Sequence, residues 1–113
     1  MKEIKAFIQP HVLGRVVQAL HALPHFPGIS VSDMVGQGRG RGAGGAFRMT
    51  EEQIFFHPKK LIEVVCTDDL APSIIEAIRT AAHTGHNGDG LIVVTDICGA
   101  VRIRTGEQSD AAL

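Results

Sequence analysis

Apolar and polar residues alternate from Lys2 to Gln9, where Ile4, Ala6 and Ile8 share one parity against Glu3, Lys5 and Gln9, and only Phe7 breaks the pattern. A period of two predicts a half-buried strand. Pro10 suits the first turn of a helix, and Val12, Leu13, Val16, Val17, Leu20 and Leu23 follow at helical spacing until Pro24 and Pro27 end it. Gly28 opens a second strand over Ile29–Val35, in which Ile29, Val31 and Val35 share a parity that Asp33 interrupts. After Pro58, Leu61–Cys66 is apolar on both parities, the pattern of a strand covered on two sides. Thr67 or Asp68 is placed to cap a second helix, whose Leu70, Ile74, Ile75, Ile78, Ala81 and Ala82 recur at helical spacing before Gly85 stops it. A tight His86–Gly90 turn leads into a strand over Leu91–Ile97, and Val101–Arg104 forms a last short strand.

Between the second and third strands, six of the ten residues from Gly36 to Gly45 are glycine, a density that no strand or helix interior tolerates. A long flexible loop is expected over residues 37–57, running on through Gln53 before Ile54, Phe55 and Phe56 could resume a strand. The order is then β-α-β, loop, β-α-β, which predicts an α+β domain of ferredoxin-like βαββαβ type over residues 1–113, with both helices on one face of an antiparallel sheet. The two halves repeat an architecture and not a sequence. The uncovered face keeps Phe7 and several third-strand side chains, and self-association is the simplest cover for it.

Composition narrows the function. A chain of 113 residues, 44% hydrophobic and 20% charged, buries one modest core. Eleven Lys and Arg against twelve Asp and Glu give a net charge of −1, without the basic excess of a general nucleic-acid binder, so any anion site is local. No apolar run approaches the roughly 18 residues that span a bilayer, and Met1–Lys5 lacks the apolar core of a signal peptide, so the cytoplasm is the expected compartment and no membrane insertion is expected. Cys66 and Cys98 lie far apart in apolar runs and are expected to be reduced core residues.

Three groups of residues have phosphate-compatible chemistry: Gly36-Gln37-Gly38-Arg39, the Thr84–Gly90 turn, and Arg102-Ile103-Arg104-Thr105-Gly106. Glycines let backbone N–H groups approach phosphate oxygens, and arginine forks bind those oxygens while staying charged. The first group lacks the Lys-Ser/Thr ending of a Walker loop. Arg102 and Arg104, two apart on a strand, would point to one side.

Taken together these signatures resemble the PII nitrogen-regulatory signal-transduction family over essentially the whole chain. Met1–Pro10 is similar to the family's opening strand, Thr84-Gly85-x-x-Gly88-Asp89-Gly90 to its nucleotide-binding loop, and Arg102–Glu107 to its C-terminal signature. The resemblance implies a cytoplasmic homotrimer with ATP or ADP in clefts between subunits, acting on a partner protein through the loop at 37–57, the family's T-loop. It places adenine and ribose near Ser30, Gly36, Gly38 and Val65, backbone contacts at Gly88, Asp89 and Gly90, phosphates at Arg39, Arg102 and Arg104, and at Lys59 the lysine that meets 2-oxoglutarate or the γ-phosphate. Met1–His11 and Gly36–Gly42 further resemble a PII-like branch encoded beside RND-type heavy-metal efflux systems, which implies a partner in metal or membrane transport.

The departures from the family pattern carry their own expectations. Gly40 stands where the family has a glutamine that ligates Mg²⁺ and helps to hold 2-oxoglutarate, and it has no side-chain oxygen to replace it, so Mg²⁺ binding is expected to be weakened. Leu91 replaces a phosphate-contacting lysine, which favours ADP or AMP relative to ATP. The chain has no tyrosine, so tyrosine uridylylation or adenylylation is excluded, and Thr50 lies near a position that is a phosphorylated serine in other members. The alternatives to a nucleotide sensor are a metal-responsive trimer built on His21 and His25 or His83 and His86, and a ligand-free adaptor trimer. Catalysis is not expected, because Thr84 with His83 or His86 forms no recognisable triad or acid–base pair; at most, water near Lys59 would hydrolyse ATP slowly.

Overall fold

The computed structural model describes residues 1–36 and 57–113. They run in the order β1 (Lys2–Ile8), α1 (Leu13–His21), β2 (Ser30–Gly36), β3 (His57–Cys66), α2 (Ala71–Ala82) and β4 (Gly90–Asp96), with short 3-10 turns at Pro10–Val12 and Ser109–Ala112. The expectations for Gly38, Arg39, Gly40, Thr50 and the Ile54–Phe56 run lie outside the described residues.

The four strands form one antiparallel sheet in the order β2-β3-β1-β4. β1 is central, pairing Ile4 with Val64 and Val94 and Ala6 with Ile62 and Ile92. That parity faces the helices: Ile4, Ala6, Ile8, Ile62, Val64 and Cys66 form one buried cluster with Val12, Val16 and Leu20 from the first helical segment and Ile74 and Ile78 from α2. No polar or charged side chain is buried among the described residues, so apolar burial carries this core without a polar network. The fold is the ferredoxin-like α+β arrangement that the element order implies.

Four local expectations are corrected. β3 is not buried on both faces within one chain: Ile62, Val64 and Cys66 are buried, while Leu61, Glu63 and Val65 are half-buried on the face opposite the helices. Neither Thr67 nor Asp68 caps α2 through its side chain, because a backbone turn precedes the helix, with Leu70 N–H on the Thr67 carbonyl at 3.2 Å and Ala71 N–H on the Asp68 carbonyl at 3.3 Å. Cys98 is exposed and not in the core, since β4 ends at Asp96; Cys66 is buried as expected, and burial pushes its thiol above the usual range.

The fourth concerns Val101–Arg104, which is no strand of the sheet. Val101 makes a single bridge with Gln108, Arg102 N–H donates to the Glu107 carbonyl at 2.8 Å and Gly106 N–H donates to the Arg102 carbonyl at 2.7 Å. The segment therefore folds back on itself instead of finding a strand beside it, and turns satisfy its backbone groups. Arg102 and Arg104 are both exposed in this turn, so the strand argument for a shared side does not apply.

Candidate functional site

Helix α2 ends at Ala82, and the chain enters a turn whose geometry is set by one carboxylate. Asp89 accepts hydrogen bonds from the Thr84 N–H at 2.8 Å, the Gly85 N–H at 3.0 Å and the Thr84 hydroxyl. These donors, the Thr84 hydroxyl foremost, hold the Asp89 carboxyl at about 2, well below its usual value of 3.8. His83 Nδ1 stands 3.7 Å from the same carboxylate. Gly90 closes the turn directly beneath β1, so close that a Cβ there would sit 1.7 Å from the Phe7 carbonyl oxygen.

The same turn is tied to two other elements through the Gly88 carbonyl. That oxygen accepts from Gln9 Nε2 at 2.7 Å, just after β1, and from Lys59 Nζ at 2.9 Å, near the start of β3. Gly36 ends β2 opposite His57, so Gly36, Lys59 and the Gly88–Gly90 turn gather at one end of the sheet. A glycine turn with an ammonium beside it is chemistry suited to phosphate.

At the other end of the sheet lies an open cleft of about 300 Å³, lined by Gly28, Ser30, Glu63, Val65, Arg102 and the C-terminal Leu113 among others. It combines a guanidinium, a hydroxyl and a carboxylate with an apolar wall from Val65. Its volume is at the lower limit for small-molecule pockets, so this cleft alone would enclose only part of a nucleotide.

The sequence-predicted residues thus divide into two groups. Gly36, Lys59, Gly88, Asp89 and Gly90 meet at one end, and Ser30, Val65 and Arg102 at the other, with Arg104 exposed in the adjoining turn. Lys59 and Val65 are six positions apart on β3, about 20 Å at strand rise. Sequence reasoning missed Gln9 and Glu63: Gln9 lies 79 residues from its partner, and no spacing rule connects them. Among the described residues no group of three or more His, Cys, Asp and Glu could hold a metal ion. His21 packs against Phe26 with ring centroids 5.8 Å apart, and His83 faces Asp89.

The opposite sheet face completes the picture. Phe7 pairs laterally with Leu61 on one side and Leu91 on the other, and Leu91 is 63% exposed. Fold and site together define a small ferredoxin-like α+β domain with a wired glycine turn at one end of its sheet, an arginine cleft at the other, and a long insertion between β2 and β3. The family model for nitrogen regulatory protein P-II matches residues 1–107. The chain is 46% identical over 113 residues to the nitrogen regulatory protein P-II of Azospirillum brasilense and 42% identical over 113 residues to that of Klebsiella oxytoca, covering all of both chains in each case. It is 46% identical over 107 residues to the nitrogen regulatory protein P-II of Bradyrhizobium diazoefficiens, covering 95% of each. The chain belongs to the P-II family of nitrogen-regulatory signal-transduction proteins. No helix among the described residues is long and apolar enough to cross a membrane.

Proposed function

We propose that this chain is a cytoplasmic homotrimeric sensor that binds ATP or ADP between subunits and regulates a partner protein through the loop at residues 37–57. The observation that carries this reading is the division of the phosphate-compatible residues between two ends of one sheet. A nucleotide that needs both the Lys59–Gly88 turn and the Arg102 cleft cannot reach both within one chain, whereas two neighbouring copies can bring unlike ends together. The half-apolar face with Phe7, Leu61 and Leu91 supplies a surface for such an assembly.

In this reading Ser30 and Val65 meet the nucleoside, the backbone of Gly88, Asp89 and Gly90 meets the phosphates, and Lys59, Arg102 and Arg104 neutralise their charge, with Gly36, Gly38 and Arg39 completing the site at the loop root. Asp89 already accepts three hydrogen bonds within its own turn, so Mg²⁺ would be held mainly by phosphate oxygens and water. The terminal phosphate then shifts the loop by binding one of its arrangements better than another. The partner is a transport protein or another nitrogen- or metal-related target, and any ATP hydrolysis acts as a timer for the signal.

Calorimetric titration with ATP, ADP and AMP, with and without Mg²⁺, tests the reading alongside sedimentation of the unliganded protein. One adenine nucleotide bound per subunit and a mass of three chains are expected. A protein that sediments as a trimer and binds none of the three would leave a scaffold without its ligand, and the adaptor reading would replace this one.

A further inference from the structure

Gln9 occupies the residue before Pro10 at the entrance to the first helical segment, yet its side chain caps nothing there. It reaches instead across to the Gly88 carbonyl at 2.7 Å, and its amide nitrogen would lie 2.9 Å from a Cβ at Gly88. Its own backbone is fixed on both sides: β1 ends at Ile8, paired with Gly90 and Lys60, and the Gln9 carbonyl accepts the Val12 N–H at 3.2 Å. A carbonyl oxygen has two acceptor sites, and here they take one neutral donor, from Gln9, and one cationic donor, from Lys59 at 2.9 Å.

The two donors respond differently to an anion. A phosphate arriving at the turn attracts the Lys59 ammonium, because charge-assisted hydrogen bonds to an anion are stronger than one to a neutral carbonyl. The Gln9 amide carries no net charge and has no comparable pull away from Gly88. The geometry points to Gln9 as a positioning residue: it holds the Gly88 carbonyl, and with it the turn, while Lys59 turns toward bound phosphate. The Lys59 part of this inference rests on the nucleotide reading; the holding of the turn by Gln9 does not.

Two variants and two measurements separate these parts. Gln9→Met keeps the length of the side chain and removes the donor, whereas Gln9→Lys restores a donor of sufficient reach. In the unliganded protein, Gln9→Met is expected to speed amide hydrogen exchange across Thr84–Gly90 by about fivefold to tenfold, the scale of one neutral hydrogen bond, with exchange in β1 and β3 unchanged as the internal control for folding. Gln9→Lys should return the exchange to within about twofold of the native rate. ADP affinity should fall by the same factor in Gln9→Met; Gln9→Lys, whose ammonium would itself be drawn to phosphate, is compared in the unliganded protein alone. Unchanged exchange in Gln9→Met, or accelerated exchange that Gln9→Lys does not reverse, overturns the positioning role. If the native protein binds no ADP while the exchange pattern holds, Gln9 positions the turn and it is the nucleotide reading that fails.

Discussion

Two glycine-containing turns are candidates to contact the same ligand, and they are built in opposite ways. The turn at 84–90 is closed by its own chain: Asp89 takes three donors, Gly88 two, and Gly90 fits under the Phe7 carbonyl with no room for a side chain. The turn at 101–108 has its backbone bonds and the Thr105 hydroxyl on Glu107 at 2.8 Å, but its apolar residues stay largely exposed. Val101 is 63% exposed and Ile103 is 100% exposed. The first turn is preorganised within a subunit, so its sequence is constrained by the fold. The second presents arginines and an isoleucine outward, so the fold of a single chain leaves their identity open.

Matched glycine substitutions break this comparison most severely. At Gly90, with φ of 113°, a Cβ would collide with backbone, and backbone cannot swing aside. Gly90→Ala is therefore expected to cost about 4 kcal/mol or more, through loss of the β1–β4 pairing. Gly106 also has positive φ, 75°, but a Cβ there meets nothing within 4 Å. Gly106→Ala should cost about 1 kcal/mol from backbone strain alone. Urea midpoints at equal subunit concentration give both values, and equal losses at the two sites would erase the distinction between a wired turn and an open one.

The next effect belongs to the open turn. Arg102→Ala combined with Arg104→Ala should weaken ADP binding by roughly 2–4 kcal/mol, taking about 1.5–3 kcal/mol per charged hydrogen bond and discounting for shared contacts. Because both side chains are exposed, the urea midpoint of the unliganded protein should stay within about 0.5 kcal/mol of native. Undiminished affinity by calorimetry would move the phosphate site away from this turn.

What the sequence made legible follows the same division. The strand and helix order, the buried parity of Ile4, Ala6 and Ile8, and the helical stripe through Ile74 and Ile78 were readable because one periodic pattern meets one core. Val101–Arg104 was misread because a short apolar run does not say which strand, if any, lies beside it, and this one folds back on itself. Cys98 was misread for a related reason: the apolar character of Leu91–Ile97 continues past the point where β4 ends. The Thr84–Gly90 motif was legible as a turn, but only the fold shows that Asp89 turns inward to close it. The role of Gln9 depends on a long-range meeting of β1's end with a turn 79 residues on, which local pattern does not encode.

The pH dependence of the wired turn gives the finest test of the comparison. The Asp89 carboxyl lies at about 2 in the folded protein against 3.8 in its absence, so the ionised form is favoured by folding. The stabilisation it gives is fully present above the unfolded value and is lost as pH falls through the folded one, a window from about pH 4 down to about pH 2. Asp89→Asn cannot ionise and keeps one acceptor oxygen, so it should be less stable than the native protein at pH 6 and should approach it progressively below pH 4. Urea midpoints of the two proteins at pH 6, 4, 3 and 2 measure this directly. A constant difference across that range would mean that the charge of Asp89 contributes nothing beyond its shape, and that the turn at 84–90 is held by backbone geometry and the Gly88 carbonyl alone.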